Sequence, residues 1–391
     1  MQSTKPKVLI ASVLSLVSLC SAAWCGSPLA GTAPLNMTGD LAEQMVSGIH
    51  RDLDKRIADV RVQRTTRWGH GVTDAAFITE RRTELATILG TVDKRLPAVM
   101  ETVGQPGNTG PVAEGEGYAV YPVRWPVFDG VFGEGYLVEP TGTATASLLV
   151  LPDADEEPES VLGLNDGVSL RSKALHQFAS TGCRIVVLSL VNREDTWSGN
   201  PKVRMTNQPH REWIYRGAYE MGRHIIGYEV QGCRSALDWL TRKGPDLPVG
   251  IMGYGEGGLV ALSTSALDTR VRATVVSGYF GPREGLWEEP IYRNVWALLK
   301  NFGDAELGAM IAPRTLIVEN ATPPAVTGPP MTKGRSHGAA PGVVPHPSAT
   351  EVRNELERAA DYHPATESKG WLYQTGEKGG QTGQTETMAA L

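Results

Sequence analysis

Val249-Gly250-Ile251-Met252-Gly253-Tyr254-Gly255-Glu256-Gly257-Gly258-Leu259-Val260-Ala261-Leu262 sets a short apolar run against a glycine cluster and then an apolar helical pattern. This order predicts a strand, a very sharp turn and a helix. A turn so tight leaves no room for side chains two residues before or two residues after its apex, and Gly253 and Gly257 meet that demand. The apex is then Gly255, which has no side chain.

Working outward, Tyr118 to Val123, Val131 to Val138 and Ala146 to Leu151 read as strands, the first two as a hairpin through Asp129-Gly130. The third is apolar throughout, as a strand covered on both faces should be. Strands then alternate with helices. A helix at Arg171 to Ser180 precedes a strand at Arg184 to Leu190, and one long amphipathic pattern from Arg211 to Leu240 precedes Val249 to Met252. Helices at Gly257 to Leu267, Asp304 to Met310 and Ser348 to Ala360 precede strands at Ala273 to Val276, Thr315 to Val318 and Gly370 to Gln374. Such alternation predicts an α/β architecture, a mostly parallel sheet with helices on both faces. Ahead of it, residues 39–105 form a charged helical extension. Asp40 is expected to cap a helix carrying Leu41, Met45, Ile49 and Leu53, and Thr79 a second carrying Leu85, Ile88, Leu89 and Val92.

The chain has 391 residues, 41% hydrophobic and 20% charged, enough for one substantial core in the α/β domain at 116–391. The formal net charge of −6 is spread along the chain, and no run of Lys and Arg is present to follow a phosphate backbone. Nucleic acid is therefore not an expected partner. Lys5 and Lys7 precede an apolar run from Val8 to Leu19, and Ser21-Ala22-Ala23 provides small residues for a signal peptidase. Residues 1–23 are read as a signal peptide that sends the protein to the periplasm or medium, and 24–38 as a linker. The run falls short of the roughly 20 residues that span a bilayer, so no stable membrane span is expected after cleavage. Of four cysteines, Cys183 and Cys233 lie in expected secondary structure. They are read as buried inert thiols, with a bridge between them left open.

From Tyr118 onward the chain resembles the α/β-hydrolase superfamily, in particular the dienelactone hydrolases and bacterial acetyl xylan esterases. The resemblance rests on Ser147-Leu-Leu-Val-Leu-Pro-Asp-Ala-Asp, Gly253-Tyr-Gly-Glu-Gly-Gly, Ala266-Leu-Asp-Thr-Arg-Val-Arg-Ala and Leu307-Gly-Ala-Met-Ile-Ala-Pro-Arg-Thr-Leu-Ile-Val-Glu. It implies an α/β-hydrolase fold, a carboxylic-ester hydrolase ancestry and a small-molecule or carbohydrate-ester ligand, with no cofactor. In that fold the glycine turn is the nucleophile elbow G-x-S-x-G, with nucleophile, acid and histidine following in chain order.

Here the elbow is degenerate. Gly255 occupies the nucleophile position. Glu319, at the end of the penultimate strand, is the carboxylate in the acid slot, and no histidine follows Gly370 to Gln374. His337, His346 and His363 come earlier in the chain. The resemblance also implies a full terminal helix, whereas Thr385 to Leu391 barely starts one, which reads as a shortened C-terminus.

The strand ends gather an unusual set of charges: Asp153 and Asp155, Arg193, Glu256, Tyr279 with Arg283, and Glu319. On one reading Glu256 is an acid favoured at a helix N-terminus, and the arginines neutralise the rest. On another, Asp153, Asp155, Arg193, Tyr279 and Arg283 line a polar ligand pocket. On a third, the carboxylates bind a hard cation or use Glu256 and Glu319 as an acid/base pair. No metal ligands are assigned. The Pro/Gly-rich segment 322–347 is read as a lid over this rim or as an insertion.

Overall fold

The computed structural model describes residues 30–32, 38–69, 71–104, 110–165, 167–200, 202, 209–326, 342–363, 371–376 and 379–391. The expected signal peptide, His337 and most of the expected lid lie outside them. The chain divides into two compact units, Met1–Lys55 and Arg56–Leu391. Helix α1 (Leu41–Trp68) crosses the division. In the first unit Asp40 caps it, its carboxylate accepting the N–H groups of Ala42 and Glu43, while Leu41, Met45, Ile49 and Leu53 are exposed. In the second unit Val60, Arg64 and Trp68 recur every fourth residue and are buried, with Trp68 packed against Phe77, Phe302 and Tyr362. Helix α2 (Ala75–Ile88) begins earlier than expected. Asp74, not Thr79, caps it, and the Thr79 hydroxyl bonds back to the Ala75 carbonyl inside the helix.

The sheet comprises β1 (Glu101–Thr102), β2 (Ala113–Gly115), β3 (Tyr118–Phe128), β4 (Val131–Pro140), β5 (Ala146–Leu151), β6 (Cys183–Leu188), β7 (Val249–Tyr254), β8 (Val271–Ser277), β9 (Thr315–Glu319) and β10 (Leu372–Thr375). Its order is β1-β3-β4-β6-β5-β7-β8-β9-β10, with β2 on β3. β3 and β4 form the expected antiparallel hairpin through Asp129-Gly130, β4 pairs antiparallel with β6, and every pair from β6 to β10 is parallel. Side chains alternate between two cores, so that on β5 Leu149 and Leu151 enter one and Leu148 and Val150 the other.

The remaining helices are α3 (Pro158–Leu162), α4 (Leu170–Ser180), α5 (His210–Glu220), α6 (Ile225–Lys243), α7 (Glu256–Leu267), α8 (Leu298–Asn301), α9 (Asp304–Ile311), α10 (Ala349–Asp361) and α11 (Thr385–Ala390). Residues of α3, α4 and α11 join the core on one face, and residues of α6, α7, α9 and α10 the core on the other. The single pattern expected from Arg211 to Leu240 is two helices. Gly222 turns left-handed at φ +62°, and His224 caps α6 by accepting the Ile226 N–H. Cys183 and Cys233 are both free, and burial pushes both thiols up. Among the described residues, no helix is long and apolar enough to cross a membrane.

Candidate functional site

The chain leaves β5 toward β6 on one side and, after α5 and α6, returns to β7 on the other. A crevice opens where strand order reverses in this way. Register fixes what meets there. Leu151, the last residue of β5, pairs with Gly253, and just past the strand ends Asp153 lies against Gly255.

The elbow has the predicted form. Gly255 sits at φ +57° and ψ −119°, and its N–H bonds to the Ser277 carbonyl at 3.0 Å. A Cβ at Gly253 would lie 2.0 Å from the Gly257 carbonyl oxygen, and one at Gly257 would lie 2.3 Å from that of Leu151. Backbone atoms cannot give way at such distances, which is why the turn requires glycine on both flanks.

The apex is filled from outside. A Cβ on Gly255 would meet Asp153 Oδ1 at 2.4 Å and Pro324 Cγ at 2.8 Å. The same Asp153 oxygen accepts the Glu256 N–H at 2.9 Å. That N–H is the donor that, in an elbow, would face a developing oxyanion. Pro324 belongs to the described beginning of the segment expected as a lid, anchored by Tyr254, whose hydroxyl donates to the Thr322 carbonyl.

Behind Asp153 lies a buried ionic network. Arg193, from the loop after β6, donates to Asp153 at 2.6 and 3.1 Å, to Asp155 at 2.9 Å, to Glu256 at 3.2 Å and to the Tyr292 hydroxyl at 2.8 Å. Glu256 is wholly buried and also accepts from Arg293 at 2.7 Å, while Arg211 approaches to 3.7 Å. Burial on its own would raise the Glu256 carboxyl; Arg293, Arg211 and Arg193 outweigh it and bring the carboxyl down to about 2. Arg293 continues to Glu289, and Glu289 to Arg283. Arg283 lies over the Tyr279 ring at 4.4 Å and 3.1 Å from Asp304.

Of the residues expected at the rim, Asp153, Asp155, Arg193 and Glu256 therefore share one cluster. Tyr279 and Arg283 join it through Glu289 and Arg293. Glu319 has different company. It is buried and accepts from the Ser277 hydroxyl at 2.5 Å, from Thr382 and Gly383 at 3.1 and 3.0 Å, and from Gln384 and Thr387 at 2.8 and 2.7 Å. Residues following β10 thus reach the acid slot, with Thr382 and Gly383 in contact instead of an imidazole. His346 is exposed, and His363 bonds to the Ala309 carbonyl against Trp371.

Sequence reasoning missed Arg211, Glu289, Arg293, Ser277 and Thr382. The first three come from segments with no motif; the register of Ser277 beside both Tyr254 and Glu319 was the available signal for the fourth. Among the described residues, no group of three or more His, Cys, Asp or Glu side chains is placed to hold a metal ion.

No family model and no curated protein matches the sequence. Solved structures do. A Bacteroides fragilis protein assigned as an acetyl xylan esterase superposes with a TM-score of 0.55 at 15% identity, covering 78% of this chain and 75% of that one. A CE15 glucuronoyl esterase from Teredinibacter turnerae superposes with a TM-score of 0.50 at 12% identity, covering 79% and 82%. The fold is that of the α/β-hydrolases. Within it, β7, Gly255 and α7 occupy the elbow, and β9 and β10 carry the acid and histidine slots.

Proposed function

We propose that this protein is an exported binding protein on an esterase-type α/β-hydrolase scaffold, taking a small polar or carbohydrate-ester ligand and performing no serine acyl transfer. The observation that carries this reading is the Asp153 carboxylate seated on the Glu256 N–H above Gly255. Acyl transfer needs a hydroxyl, an imidazole and open donors at this place. Here the hydroxyl is missing, a carboxylate occupies the donor, and a negative charge stands where a second would have to develop. The names of the two structural relatives support a carbohydrate ester as the ligand class.

The test is labelling of the full chain with a fluorophosphonate probe, with turnover of 4-nitrophenyl acetate beside it. Neither is expected above background; labelling would overturn the reading. A competing proposal is acid/base hydrolysis by Glu256 and Glu319, favoured by the Glu256 Oε2 atom, which has no hydrogen-bond donor among the described residues. Ester turnover that Glu256→Gln or Glu319→Gln abolishes in a folded protein would establish it instead. Export is tested by N-terminal sequencing of the mature protein for cleavage after Ala23.

A further inference from the structure

At the end of the sheet away from the elbow, where β8 and β9 begin, a second concentration of charge is mainly positive. Arg272 is the second residue of β8 and Arg314 immediately precedes β9, and the pairing of Ala273 with Thr315 makes them neighbours. Arg82 of α2 joins them from outside the sheet. Its Nη2 and that of Arg314 are both 3.2 Å from one oxygen, the carbonyl of Met310.

What these guanidiniums hold is backbone. Arg82 Nε donates to the Ala266 carbonyl at 3.1 Å, and Arg314 donates to those of Ser265, Asp268 and Val271 at 2.8, 3.1 and 2.9 Å. Ser265, Ala266 and Met310 belong to the last turns of α7 and α9, where the helix itself offers carbonyls no partner. Each helix end supplies about half a negative charge, against three whole positive ones. The neighbouring carboxylate, that of Asp268, is held by Arg270 at 2.6 Å and approached by Arg234 at 3.6 Å. Among the described residues, no carboxylate pairs with Arg82, Arg272 or Arg314.

The excess shows in the arginines themselves. Burial lowers Arg314 to about 10, and Arg82 and Arg272 push it the same way against Asp268. Burial lowers Arg82 as well. On a chain of formal net charge −6 this is a local excess and not general basicity. The patch is also open. Arg82 Nη1, Arg314 Nε and the exposed Arg272 guanidinium make no hydrogen bond among the described residues, and solvent reaches them.

We propose that Arg82, Arg272 and Arg314 form a site for a phosphate-type oxyanion, at the opposite end of the sheet from the elbow. A guanidinium presents paired N–H donors that match phosphate oxygens, and it is more weakly hydrated than an ammonium. A dianion supplies the charge that the two helix ends lack, and its oxygens accept from the N–H groups left over once the carbonyls are served. Helix capping alone accounts for Arg82 and Arg314. It does not account for Arg272, which caps nothing and stands beside two like charges. The phosphate group can belong to a free anion or to a lipid headgroup, since the same donors serve both.

The experiment is calorimetric titration of the full chain with inorganic phosphate, at an ionic strength held constant with sodium chloride. Saturable binding is expected, with a Kd of about 1 mM or below. Arg272→Gln is expected to weaken it about tenfold at an unchanged thermal midpoint in phosphate-free buffer. Phosphate should raise the midpoint of the unmodified chain more than that of this variant. Arg216→Gln, an exposed change on α5, is expected to leave affinity unchanged. Flotation with phosphatidylglycerol vesicles, but not with phosphatidylcholine alone, and its reversal by free phosphate would assign the anion to a lipid; no flotation would assign it to a solute. The proposal is overturned if phosphate gives no saturable heat, if Arg272→Gln leaves affinity unchanged, or if Arg216→Gln lowers it as much. The site is built without any residue of the elbow, so this reading and the one made there can fail separately.

Discussion

Asp153 Oδ1 accepts the backbone N–H of Glu256 at 2.9 Å, directly over the glycine apex of the elbow. Restoring a serine there is therefore not a simple reversion. Gly255→Ser places a Cβ against Asp153 and Pro324 at a φ of +57° that side-chain-bearing residues rarely adopt. A loss of about 1–3 kcal/mol in urea unfolding is expected, with no fluorophosphonate labelling. Asp153→Gly combined with Gly255→Ser should lose less than the sum of the two single changes, the sign of a shared space.

Glu256 is the charge that the arginines of three distant segments hold in common. Glu256→Gln leaves Arg193, Arg211 and Arg293 facing one another around a neutral amide. The expected loss is about 3–5 kcal/mol, the range for breaking a buried ion pair from one side. Equilibrium denaturation measures it, and a loss below about 1 kcal/mol would contradict the central role given to this carboxylate.

Acid should find the same weakness. The folded Glu256 carboxyl lies at about 2 against an ordinary 4.5. A depressed acid stabilises fully above its unfolded value and loses that contribution as pH falls toward its folded one. Stability should thus decline from pH 4.5 toward pH 2, by on the order of 3 kcal/mol for this group. Asp304 works in the opposite sense: burial, only partly offset by Arg283, pushes it up from 3.8 to about 7. Its contribution is present below pH 3.8 and lost as pH rises through 7. Urea midpoints across pH 2–8 should show a shallower acid decline for Glu256→Gln, and for Asp304→Asn a weaker fall, or a steeper rise, between pH 4 and 7.

Glu319 ties β9 to the segment after β10. Glu319→Ala removes the acceptor for Thr382, Gly383, Gln384 and Thr387 together. Faster amide exchange confined to residues 379–391 is expected, with the elbow unaffected. Uniform destabilisation of the whole chain would count against this local role.

The frame of the site was legible in the sequence because it depends on local chemistry. Gly253 is demanded by the Gly257 carbonyl four residues on, the tight turn itself calls for small residues on both flanks although the atoms that crowd Gly257 belong to Leu151 and Pro152, and strand periodicity located β3 through β9 closely. The occupant of the site was less legible. Asp153 stands over Gly255 through a register between strands about a hundred residues apart, and only pairing Leu151 with Gly253 exposes it. The arginine cage is harder still, since Arg211 and Arg293 come from segments whose approach is decided by helix packing. The long helix from Arg211 was misread because Gly222 interrupts an amphipathic pattern that otherwise continues in phase.

The donors around Glu319 also set an order of events during synthesis. β9 is complete some sixty residues before Thr382, Gly383, Gln384 and Thr387 are made. Until they emerge, a carboxylate destined for the interior has the Ser277 hydroxyl and water for company, and burying it then carries the desolvation penalty of a charge short of partners. The edge of the sheet at β9 and β10 must therefore stay open while the rest of the domain can consolidate. Closure of the core waits on a short polar segment rather than on a hydrophobic one.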